Sequence, residues 1–174
     1  MDRTYRKWRQ TDTCFNRLQA WPAQQFPLAE HHMFRDCGCL VCSLAVMLRH
    51  HNIEKTADEN QFNPWILNRR LIDCGAFSPE ADLELEDLRK LYPLEYLGAL
   101  PYSREELMRI AEKSFPCLIT VPGKNSENHF LALYQVLDDD AAVYDPLCGE
   151  RKLSSYEKVR EIRVFRGLTD CMTP

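Results

Sequence analysis

The stretch Gly38-Cys39-Leu40-Val41-Cys42-Ser43-Leu44-Ala45-Val46-Met47-Leu48 decides how this chain is read. Apolar residues stand at 40, 41, 44, 45, 47 and 48, a stripe at helical spacing wide enough for a buried helix. The residues before it, Met33 to Gly38, lack that period, so the helix is expected to open at Cys39. The first four N–H groups of a helix have no partner within it, and its dipole adds partial positive charge there. Both favour a thiolate over a thiol, most of all when a histidine stands nearby. A cysteine at such a mouth is a candidate nucleophile, and the remaining question is which residue serves as its base.

Composition sets the frame. A chain of 174 residues is long enough for one domain with one sizeable core. Its 45% hydrophobic and 28% charged residues are those of an ordinary globular protein. A net charge of −4 leaves no broad basic surface, so nucleic acid is not expected as a partner. Arg3, Arg6, Lys7 and Arg9 read as a solvated terminus. No run approaches the ~18 apolar residues of a membrane span, and the start lacks the apolar core of a signal peptide. The expectation is a cytoplasmic chain, or one released by a route that needs no signal. Eight cysteines (14, 37, 39, 42, 74, 117, 148 and 171) suggest disulfides only in a small secreted scaffold; here they read as reduced, small hydrophobes. Nothing in the composition fixes an oligomeric state.

Residues 1–38 read as irregular, with Pro22 and Pro27 arguing against a long helix. Residues 39–115 read as a helical part. Asn63-Pro64 is a cap followed by proline at the first helical position, and Gly75 stops that helix. Ser78-Pro79 repeats the signal and leads into a helix over Leu83 to Tyr92. Ser103-Arg104-Glu105-Glu106 is a capping box that opens a helix through Lys113. Residues 116–167 read as an antiparallel sheet. Its strands are Cys117 to Val121, Phe130 to Leu137, Ala141 to Tyr144 and Glu161 to Phe165, with a turn at Asp138-Asp139-Asp140. Helices first and sheet second is an α+β plan in a single domain, 1–174.

Five histidines compete for the role of base. His50 and His51 lie eleven and twelve residues beyond Cys39 on the same helix, ~17 Å away at the helical rise, too far for proton transfer. They read as C-terminal capping cations. His31 and His32 fall in a loop of no evident order. His129 follows the polar run Gly123 to Asn128 and starts a strand, which places it at a sheet rim where a helix mouth can dock. It is the preferred partner.

At this point the residues carry a likeness. Gly38-Cys39, three variable residues, Ser43, the small apolar stretch and Leu48 resemble the nucleophile helix of papain-like peptidases of the bacteriocin-processing type, the double-glycine-leader group and its lysin-like relatives. His129-Phe130-Leu131-Ala132-Leu133-Tyr134-Gln135-Val136 resembles their histidine strand. Tyr144-Asp145-Pro146, then Gly149 and Leu153 to Tyr156, resembles the aspartate-proline segment that follows it. Asn63-Pro64 to Phe77 is similar to their asparagine-proline helix, and Gln10-Thr11-Asp12-Thr13-Cys14-Phe15 to their opening block.

The resemblance implies an α+β papain-like fold and hydrolysis of a peptide or related amide through a thioester. It implies Cys39 as nucleophile, His129 as the base that later protonates the leaving amine, and Asp145 as the residue that orients the imidazole. Gln10 would join the Cys39 backbone N–H in holding the oxyanion. The implied partner is a peptide or protein substrate, including the peptide of a cell wall, and no metal or organic cofactor is implied.

Two spacings depart from that pattern. A regular hairpin turning at Asp139 places Asp145 opposite Leu133, not beside His129, so a bulge, twist or shifted register is required. Asn128 and Asn125 are the alternative orienters. Gln10 precedes Cys39 by 29 residues, a long connection, and Gln24 and Gln25 are alternative donors.

Two other function classes remain. One is a papain-like binding module without turnover, although such modules commonly lack the cysteine or the histidine that this chain keeps. The other is a metal site on Cys37, Cys39 and Cys42. Zinc usually takes four ligands, and no second Cys-x-x-Cys pair is present.

Overall fold

The computed structural model describes residues 8–11, 18–29, 32–56, 58–124 and 126–168. Arg3, Arg6, Lys7, most of the Gln10 block beyond Thr11, His31 and Asn125 lie outside them. The helices are α1 (Phe34–Cys37), α2 (Cys39–His50), α3 (Pro64–Asp73) and α4 (Arg104–Glu112). The strands are β1 (Leu94–Pro101), β2 (Cys117–Pro122), β3 (Asn128–Val136), β4 (Ala141–Asp145), β5 (Gly149–Lys152) and β6 (Glu161–Gly167). They form one six-stranded sheet in the order β1-β6-β2-β3-β4-β5, every neighbouring pair antiparallel. The α+β class is therefore what the structure has.

The local chemistry explains the helices. Asn63 accepts from the Ile66 N–H at 3.0 Å, with Pro64 at the first helical position. Ser103 does the same for the Glu106 N–H at 3.1 Å. Helix α2 begins at Cys39, and Gly38 offers it no capping side chain. Gly38 is required by proximity rather than by an unusual φ: a Cβ there would stand 2.5 Å from the Phe34 carbonyl oxygen.

Two apolar clusters flank the sheet. Leu44, Met47 and Leu48 of α2 and Leu67 and Leu71 of α3 pack with Leu118, Ala132, Tyr144 and Phe165 on one side. Leu107 and Ile110 of α4 pack with Ile119, Leu131, Val143 and Ile162 on the other. Each fully buried leucine contributes about 1.5–3 kcal/mol, so α2, buried from Val41 to Leu48, is held firmly to the sheet. Among the described residues no helix is long and apolar enough to cross a membrane.

The helical reading of 39–115 needs correction. It contains an edge strand, β1, paired with β6 from Leu94↔Gly167 to Pro101↔Glu161. Pro93, Gly98 and Pro101 obscure it, yet edge strands tolerate proline and bulged glycine, and Gly98 sits at a bulge with φ +111°. The helix expected over Leu83 to Tyr92 is only a 3-10 segment, Leu85–Lys90. Within the segment read as irregular, Phe34–Cys37 forms a helical turn. The short strand β5 has no counterpart in the sequence reading.

Candidate active site

Helix α2 presents Cys39 at its mouth, and one turn further Ser43 fastens that helix to the sheet. The buried Ser43 hydroxyl donates to the Phe130 carbonyl at 2.8 Å. Phe130 adjoins His129, so this bond ties the cysteine helix beside the histidine strand. His129 is the second residue of β3, and Cys39 lines the same cleft and acts electrostatically on its imidazole.

Asp145 ends β4 and meets the imidazole: His129 Nε2 lies 2.9 Å from Asp145 Oδ1. The expected placement opposite Leu133 is corrected in two steps of one residue each, by a turn centred between Asp138 and Asp139 and by a bulge. Near the turn Val136 pairs with Ala141 and Gln135 with Ala142, but beyond it Leu133 pairs with Val143 and Ala132 with Tyr144. Tyr134 is the extra residue. Continued, the shifted register sets Asp145 across from Leu131, on the face shared by positions 129 and 131. Without the extra residue Asp145 would face Ala132 and lie on the wrong side. Histidine and aspartate are then diagonal neighbours, a separation that long side chains bridge.

The carboxylate is fully engaged. Oδ1 also accepts the Leu147 N–H at 2.7 Å, and Oδ2 accepts the Tyr156 hydroxyl at 2.6 Å. Burial works against its charge, but these donors and the His129 hydrogen bond prevail and hold the carboxyl well below the usual carboxylate range. Burial and the neighbouring carboxylate push the Tyr156 phenol far up, so it remains a donor. For His129, burial again opposes charge. The hydrogen bonds to Asp145 and Cys39 and the charges of both outweigh it, raising its pKa to about 9. With Nε2 turned to Asp145, Nδ1 is the ring nitrogen left for the sulfur.

Gln10 is buried, and it lines the same cleft as Cys39. Its backbone N–H donates to the Pro146 carbonyl at 3.1 Å, and its side-chain nitrogen donates to the Arg35 carbonyl. An amide carries two N–H bonds, and the Arg35 carbonyl takes one of them. The four residues Cys39, His129, Asp145 and Gln10 therefore converge on one cleft of about 650 Å³. The alternatives lie elsewhere. Asn128 accepts from Arg160 at 3.0 Å, and Gln24 and Gln25 are exposed and line no part of the cleft. His32 does not line it either. His50 and His51 pack on one another at the far end of α2, where burial and His50 lower His51 to about 4.

The three neighbouring thiols occupy three environments. Cys39 faces the cleft, Cys42 is buried in the core, and the Cys37 sulfur turns back to the Met33 carbonyl at 3.1 Å. Burial, with the charges of Cys39 and Asp36, pushes the Cys37 thiol far up. Among the described residues no three His, Cys, Asp or Glu side chains are grouped to hold a metal ion.

Sequence reading missed Tyr156 and Leu147, which fix the aspartate, and Ser43 as the bond to the sheet. Only the serine had a signal, a polar residue inside an apolar helical stripe. No family model matches this chain, no curated protein matches it, and no solved structure matches it.

Proposed function

We propose that this chain is a papain-like thiol hydrolase that cleaves a peptide or related amide bond. The observation that supports this best is the convergence of Cys39, His129 and Asp145 from α2, β3 and β4 on one cleft. An open helix mouth set against an antiparallel sheet that bears the histidine is the arrangement such peptidases use.

In this reading the Cys39 sulfur attacks the amide carbon while its proton resides on His129 Nδ1. The developing oxyanion is held by the Cys39 backbone N–H and the second N–H of Gln10. One such donor is generally worth ~10²–10³ in turnover. The tetrahedral species collapses as the imidazolium protonates the departing amine, leaving a thioester. Water, deprotonated by the now neutral imidazole, hydrolyses the thioester and returns the free sulfur. Asp145, locked by Tyr156 and Leu147, holds the ring in orientation and stabilises its charged form. The substrate is a peptide or protein segment, with cell-wall peptide among the candidates.

The test is direct. Incubated with a mixed peptide library, the full chain should release new termini detectable by mass spectrometry. Cys39→Ala and His129→Ala should each abolish release while leaving the circular dichroism spectrum unchanged. Full activity in either variant would refute the proposal.

A further inference from the structure

The cleft carries a charge pattern that the catalytic groups do not explain. Five formally charged side chains other than His129 line it: Arg35, Asp36, Lys124, Asp145 and Arg151. Two pairings remove most of this charge. Arg35 Nε meets Asp36 Oδ2 at 3.4 Å, and Asp145 meets His129 at 2.9 Å. Lys124 and Arg151 are left. Among the described residues neither forms an ion pair with a carboxylate.

Arg151 instead donates through Nε to the Cys148 sulfur at 2.8 Å. Burial raises the pKa of that thiol, so it stays neutral and cancels none of the arginine's charge. Lys124 lines the cleft and is exposed. Ser126 donates to the Asn128 carbonyl at 2.8 Å, and a Cβ on Gly123 would come within 2.3 Å of Ser126 Oγ. A molecule of net charge −4 thus keeps, at the cleft that holds its nucleophile, two cations that no carboxylate contacts directly among the described residues. The same cleft exposes Leu147, at 46% of its surface, although its N–H is fixed to Asp145. Like charges gathered in a concave site focus their field on what enters it.

We infer that this cleft selects a peptide segment bearing a carboxylate close to the scissile bond, with an aliphatic neighbour against Leu147. The inference rests on the hydrolase reading for the bond that is cut, and on Lys124 and Arg151 for the carboxylate. The carboxylate is either an acidic side chain or the C-terminus of the substrate.

The test compares alkylation of Cys39 by iodoacetate, an anion, with alkylation by iodoacetamide, its neutral counterpart. In both, the sulfur displaces iodide, so the ratio of rates reports the field at the cleft. In Lys124→Gln/Arg151→Gln at low salt the ratio should fall roughly three- to tenfold from wild type, and high salt should shrink the difference. An unchanged iodoacetamide rate shows that the fold and the thiol are intact. Arg166→Gln, remote from the cleft, should leave the ratio as it is. An equal ratio in wild type and double variant overturns the inference.

Peptide pairs then separate the two sources of carboxylate. A Glu-over-Gln preference marks a side chain, and a free-over-amidated preference marks a C-terminus; the double variant should lose whichever is found. Peptides cut with neither preference leave the hydrolase standing and end this inference. A charge-dependent alkylation ratio with no peptide cut ends the hydrolase reading and, with it, the placement beside a scissile bond, and leaves a cleft that attracts anions through Lys124 and Arg151. A Cys39 that neither reagent labels overturns both.

Discussion

The His129 imidazole stands between a carboxylate and a sulfur, and this sets how the protein responds to pH. Its ordinary pKa of 6.5 is raised to about 9 in the folded chain, against the opposing effect of burial. Protonated histidine is therefore favoured by folding. The stabilisation it brings is fully present below about pH 6.5 and is lost as pH rises through about 9. Thermal unfolding of the wild type should show Tm declining across that window. In His129→Ala the decline should flatten, and a wild-type Tm that stays level there would contradict the pairing. Asp145 works in the opposite direction: its contribution is present above the ordinary carboxylate pKa and is lost only in stronger acid. Cys39 and His129 were legible because a helix mouth and a strand start each carry a local pattern. Tyr156 was not, because nothing in Ser154-Ser155-Tyr156-Glu157 tells how far a phenol will reach.

Two elements convert these residues into a site. The bulge at Tyr134 puts Asp145 on the face of His129, and no glycine or proline marks it in the sequence. Bulge position depends on how the strands fit across the whole sheet, so hairpin counting from a turn at Asp139 places the aspartate opposite Leu133, two residues from its continued register at Leu131. The other element is α2, fastened through Ser43 to the Phe130 carbonyl. Ser43→Ala leaves that carbonyl without its donor in a buried setting, which costs about 1–3 kcal/mol. Chemical denaturation should register the loss, and turnover should fall further than stability alone explains, because the cysteine helix is then less firmly seated beside the histidine. Unchanged stability and turnover would show that apolar packing alone seats α2. Strand β1 escaped detection for a related reason. Its interrupted pattern becomes a strand only through pairing with β6, far along the chain.

At the scale of the molecule, the N-terminal residues 8–10 join the helical side to the sheet rim. Trp8 donates through Nε1 to Glu59 at 3.2 Å and packs edge-on to Phe62. Arg9 lies over the Tyr144 ring, and a side chain on Gly149 would collide with it. Gln10 closes on Pro146 and Arg35. The sequence pattern carried the α+β class but neither the place of β1 ahead of α4 nor the strand order, since β1 and β6 come from distant parts of the chain. This architecture brings a sulfur from one end and an imidazole from the other into one cleft, and thiol labelling tests that claim most directly. With limiting iodoacetamide at mildly acidic pH, followed by peptide mapping, Cys39 should take the label first, ahead of the exposed Cys148. His129→Ala should slow that labelling by about tenfold or more. Label appearing first at Cys148, or a Cys39 rate indifferent to the loss of His129, would contradict the account.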